Sequence, residues 1–194
     1  MTKFVLVGGY SNKSPDNGEA FVKELVEGFD QPVRILVCLF ARRIDEWEAA
    51  FQKDKLLFAS KLKQKVLLEL ADPARFKEQL KNTDVVYFRG GRTKALIEGL
   101  KQSEGWEQEL SDKTIAGSSA GVNFLARYYY SLDDLEIREG LGILPMKALV
   151  HYKSDFNAPN IDWDKVYQEL REYGEELPIL AIPEGEFKVI PQLA

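Results

Sequence analysis

The stretch Asp84-Val85-Val86-Tyr87-Phe88-Arg89-Gly90-Gly91-Arg92-Thr93 decides the fold. Its apolar run, Val85 to Phe88, has no polar face, so the strand it forms must be covered on both sides. The two glycines end that strand, and Thr93 to Gln102 continues as a helix. The same unit recurs in both directions. Phe4 to Val7 is a short apolar run closed by Gly8-Gly9; beyond the polar loop Ser11 to Gly18, the residues Phe21, Val22, Leu25, Val26 and Phe29 repeat at helical spacing. Val33 to Phe40 and Lys65 to Leu70 read as further strands. The first leads to a helix with Ile44, Trp47 and Phe51 on one face, the second to a helix from Pro73 to Asn82. Thr114-Ile115-Ala116 is a fifth strand that turns through Gly117 to Gly121 into a helix around Val122 to Arg127. Leu149 to Tyr152 and Ile179 to Ile182 follow as strands, separated by a helix from Asp162 to Tyr173. Strands of this kind alternating with helices predict a mainly parallel sheet in one α/β domain spanning residues 1–194.

Composition narrows the function. The chain carries 26 Lys and Arg against 31 Asp and Glu, a net charge of −5, which argues against a nucleic-acid partner but leaves room for a local basic pocket. Cys38 and His151 are the only residues of their types, so neither a disulfide framework nor a zinc site of thiolates or several histidines is expected. Met1-Thr2-Lys3 leads into an apolar run too short for a signal peptide. No stretch approaches the roughly eighteen apolar residues of a membrane helix. A cytoplasmic location without a membrane partner is the expectation.

In parallel sheets, ligands bind at the carboxyl ends of the strands. The sharpest signal there is Gly117-Ser118-Ser119-Ala120-Gly121, a G-x-S-x-G between strand and helix that would present a serine on a tight turn. Register selects Ser119, because Ser118 would need glycine where Ala116 stands. Small residues in such a turn can also serve packing alone. A serine needs a base, and His151 follows it in the chain order of hydrolases with this turn, although a lone histidine in an apolar run is ordinarily a core residue. The bare N–H groups of Gly90 and Gly91, joined by that of Ala120, could form an oxyanion hole. The Gly8-Gly9 loop matches neither standard phosphate-binding fingerprint. Cys38 reads as core, Tyr128-Tyr129-Tyr130 as either pocket lining or a cover over the core, and Glu169, Glu172, Glu175 and Glu176 as a solvated face.

Taken in order, these segments resemble the peptidase E family of aspartyl dipeptidases. The resemblance rests on Val85 to Thr93, on Ala116 to Asn123, on Gly142-Ile143-Leu144-Pro145 with His151 six residues on, and on Ile182-Pro183-Glu184-Gly185. It implies a three-layer, doubly wound, mainly parallel sheet of the flavodoxin-like or class I glutamine amidotransferase-like kind. It also implies a serine peptidase that hydrolyses small peptides, Asp-X dipeptides above all, without metal or cofactor. Ser119 would be the nucleophile and His151 the general base, with activity falling near the ordinary imidazole pKa of about 6.5. For the acid it offers Asp134, with Asp133 and Glu24 as alternatives. Arg92 stands where the family usually has Asn, and we expect it to recognise an acidic substrate group. A cyanophycinase-like exopeptidase and a non-catalytic binding domain are the competing readings. The oligomeric state stays open.

Overall fold

The computed structural model describes residues 2–156 and 160–191. Along the first half run β1 (Lys3–Val7), α1 (Glu19–Val26), β2 (Val33–Cys38), α2 (Trp47–Lys61), β3 (Val66–Leu70), α3 (Phe76–Lys81), β4 (Val85–Phe88) and α4 (Thr93–Leu100). Then come β5 (Thr114–Ser118), α5 (Ala120–Asn123), β6 (Ala126–Ser131), β7 (Glu136–Glu139), β8 (Leu144–Val150), α6 (Trp163–Glu172), β9 (Ile179–Ile182) and β10 (Phe187–Pro191). The larger sheet has the order β10-β1-β5-β4-β2-β3, and only β10 runs antiparallel to its neighbour. The smaller has the order β7-β6-β8-β9, parallel except at β7. The expected mainly parallel α/β architecture is present, built from two sheets.

Alternation explains the layers. Phe4, Leu6, Leu36, Cys38, Val86, Phe88 and Ile115 enter one core, which also holds Leu96 and Leu100 of α4 and Met146, Ala148 and Val150 of β8. Their neighbours Val5, Val7, Ile35, Val37, Val85, Tyr87 and Ala116 enter another, closed by Phe21 and Leu25 of α1 and Phe51 and Phe58 of α2. The central strands are thus buried on both faces, as their unbroken apolar runs require. A third core joins Tyr128, Tyr130 and Leu149 of the smaller sheet to Val166 and Leu170 of α6.

The segment after Ser119 departs from expectation. The helix expected around Val122 to Arg127 is only the short α5, and Tyr128-Tyr129-Tyr130 lies in β6. Tyr129 turns into the first core while Tyr128 and Tyr130 turn into the third, a two-residue period natural to aromatic residues in a strand. Within α6, Asp162 caps the start by accepting from the Lys165 N–H at 3.0 Å. Lys147 of β8, wholly buried, closes its end: Nζ donates to the carbonyls of Leu170 (2.9 Å), Arg171 (2.9 Å) and Tyr173 (2.6 Å). Among the described residues no helix is long and apolar enough to cross a membrane.

Candidate active site

Three strands, one from the larger sheet and two from the smaller, deliver their carboxyl ends to one place. Ser119 follows β5, His151 follows β8, and Glu184 lies just beyond β9. Ser119 occupies a backbone conformation, φ 51° and ψ −107°, that side-chain-bearing residues rarely adopt. The turn can be this sharp because Gly117 and Gly121 bring backbones together: a Cβ on Gly117 would meet the Gly121 carbonyl, and one on Gly121 the Phe88 carbonyl. The Ser119 N–H is tied to the Val7 carbonyl at 3.1 Å, which anchors the turn to β1.

His151 is also held at positive φ, 53°, with its N–H on the Gly8 carbonyl at 2.9 Å. Its ring stacks on Phe156, centroids 4.0 Å apart and planes 8° from parallel, and Tyr10 meets it edge-on. Nε2 lies 2.9 Å from Ser119 Oγ, and Nδ1 lies 2.7 Å from Glu184 Oε1. An ionised carboxylate only accepts, so Nδ1 carries the proton and Nε2 is free to accept from the serine hydroxyl. The other carboxylate oxygen of Glu184 pairs with Lys13.

Burial shapes the charges. His151 is 2% exposed, and desolvation holds its imidazole pKa below 6.5 despite the hydrogen bond and charge of Glu184, which raise it. Burial alone would raise the Glu184 carboxyl, but Lys13 and His151 together hold it below its ordinary value.

The expected carboxylates lie elsewhere. Asp134 accepts from Ser131 Oγ at 3.0 Å and pairs with Arg138 at 3.4 Å on the turn between β6 and β7. That turn carries it away from Nδ1, which Glu184 takes instead. Glu24 of α1, half-buried, pairs with Lys3 at 3.0 Å. Asp133 lines the cavity beside the site without being the Nδ1 partner. Glu184 stands within Ile182-Pro183-Glu184-Gly185, just after a strand, and that position at a carboxyl end was the available signal.

The glycine-rich turn after β4 lies beside Ser119. A Cβ on Gly90 would come within 3.3 Å of both Ser119 Cβ and the Ser118 carbonyl oxygen. Among the described residues, no acceptor takes the N–H of Gly90, Gly91 or Ala120. Arg92 is exposed at the start of α4. All of this opens into a cavity of about 950 Å³. Its walls carry Arg42, Arg43, Lys53, Arg89 and Arg92 against Glu46, Asp54 and Asp133, a basic surface in an acidic protein. No group of three or more His, Cys, Asp or Glu among the described residues is arranged to hold a metal ion.

The mainly parallel strands, the helices between them and the site at their carboxyl ends define an α/β protein. The chain belongs to peptidase family S51, whose family model matches residues 22–190. It is therefore placed among peptidases. No curated protein matches the chain.

Proposed function

We propose that the chain is a serine peptidase of the peptidase E type that cleaves small peptides, Asp-X dipeptides above all. The observation that carries this reading is the relay from Ser119 Oγ to His151 Nε2 at 2.9 Å and from Nδ1 to Glu184 at 2.7 Å. Ser119 Oγ attacks the scissile carbonyl carbon while its proton passes to Nε2. Glu184 keeps the imidazole in the right tautomer and stabilises the imidazolium that forms. The N–H groups of Gly90, Gly91 and Ala120 are suited to receive the negative oxygen of the tetrahedral intermediate. As the C–N bond breaks, the imidazolium proton goes to the departing amine and leaves an acyl-serine. Water then attacks that ester, giving its proton to Nε2, and collapse returns the proton to Ser119 Oγ.

A cyanophycinase-like preference for aspartyl-arginine peptides is the second reading, favoured by Glu46 and Asp133 on the same cavity wall, where an arginine side chain would be met. The test is covalent labelling with a fluorophosphonate, followed by hydrolysis of Asp-Leu and of β-Asp-Arg. Labelling at Ser119 with turnover of either peptide supports the reading. An unlabelled, inactive but folded protein makes this a binding domain.

A further inference from the structure

A second buried ionic group shares the cavity and has no part in the relay. Asp54 of α2 is 1% exposed, with Oδ2 3.2 Å from Arg89 Nε. Arg89 Nη1 also donates to the Tyr87 hydroxyl at 2.9 Å. Burial pushes the Asp54 carboxyl up, and Arg89 and then Arg42 pull it back, so both guanidiniums act on this one carboxylate. Arg42 nevertheless makes no ion pair among the described residues, and neither its buried Nε nor that of Arg89 has a hydrogen-bond acceptor. Two permanent cations sharing one anion leave one positive charge uncompensated. A buried guanidinium N–H without an acceptor is costly, and such groups are normally satisfied.

The two arginines sit on adjoining loops, Arg89 after β4 and Arg42 after β2. Arg89 directly precedes Gly90, and Arg42 follows Ala41, whose carbonyl accepts from the Arg92 N–H at 2.8 Å. A Cβ on Gly91 would collide with that same Ala41 carbonyl, so the two loops are in close contact. An anion held here would belong to a molecule lying across the turn that faces Ser119. A planar guanidinium takes a carboxylate through two parallel hydrogen bonds, which suits a peptide end or an aspartate side chain.

We propose that Arg42 and Arg89 anchor a carboxylate of the peptide and thereby set the preference for an acidic substrate, in place of the exposed Arg92. This deepens the peptidase reading and rests on it for the word substrate. The carboxylate has two sources, the side chain of an amino-terminal aspartate or the terminal carboxylate of the dipeptide.

The test is calorimetric titration of the Ser119→Ala protein, which measures binding without turnover, using Asp-Leu, Asn-Leu and Asp-Leu amide. One analogue should bind about tenfold or more weakly than Asp-Leu, and that analogue names the source. The difference should vanish when Arg42→Gln is added and persist when Arg92→Gln is added instead. Equal binding of all three peptides, intact discrimination in Arg42→Gln, or its loss in Arg92→Gln overturns the proposal. Should Arg42→Gln fail to fold, Arg42→Lys keeps the charge but not the planar fork; wild-type affinity and discrimination in it would also overturn the anchor. The catalytic reading is judged separately. If unmutated protein cleaves these peptides without a carboxylate preference, the anchor falls and the peptidase stands. If it cleaves none while the binding pattern holds, the peptidase falls and the anchor stands.

Discussion

Gly9 lies against the face of His151: a Cβ built on Gly9 would fall within 2.8 Å of both ring nitrogens. Its φ of 131° is also a conformation that favours glycine. The ring is therefore wedged between the β1 loop and Phe156, with its position set from both sides. Gly9→Ala should displace the imidazole from Ser119 and lower kcat by about a hundredfold while the protein stays folded. Steady-state kinetics beside circular dichroism checks this; a wild-type kcat would show that the ring is not held from that side.

The carboxylate on Nδ1 separates two residues that the chain order alone does not. Glu184→Gln keeps the shape and removes the charge that stabilises the imidazolium, so kcat should fall by about 10³–10⁴. Asp134→Asn, on its exposed turn, should leave kcat within about twofold. The reverse pattern in a side-by-side assay would restore Asp134 as the acid.

Burial works against protonating His151, so the neutral base persists below pH 6.5 and kcat/KM should fall only as the pH drops through that lowered value. Lys13 also lowers the imidazole pKa through its charge. Removing that cation favours the imidazolium, so Lys13→Met should move the acid limb of the pH–rate profile upward, towards 6.5. A limb that stays put or moves down in the variant would mean that Lys13 acts on Glu184 alone.

Lys147 is a stability device remote from the chemistry. Lys147→Met keeps the apolar stem as far as Cε but removes the ammonium and strands three carbonyls at the end of α6. The expected cost is about 2–4 kcal/mol, lowering Tm by roughly 5–10 °C, with kcat at 25 °C close to wild type. Differential scanning calorimetry decides it: an unchanged Tm would mean that water satisfies those carbonyls equally well.

Much of this arrangement is legible from residues alone. Val85 to Phe88 declares a doubly covered strand, and Gly117 to Gly121 declares a turn that exposes Ser119, because both are local consequences of side-chain size and polarity. Tyr128 to Tyr130 are harder. A run of three aromatic residues has no alternation of polarity, so its two-residue period emerges only when both faces meet apolar partners. Glu184 is harder still. It reaches His151 because β9 pairs with β8 in the register Val150 to Ile182, a long-range pairing that no local spacing encodes. Gly9 escapes notice for the same reason, since the ring it abuts is far away in sequence.

Ser119 hangs from the larger sheet, whereas His151 and Glu184 hang from the smaller one. On the proposed reading, hydrolysis is thereby a property of the finished assembly. A chain in which either sheet has come loose holds only an ordinary alcohol and an ordinary imidazole, each without its counterpart. The join between the sheets thus acts as an interlock, and loss of activity should run ahead of loss of secondary structure whenever it slips.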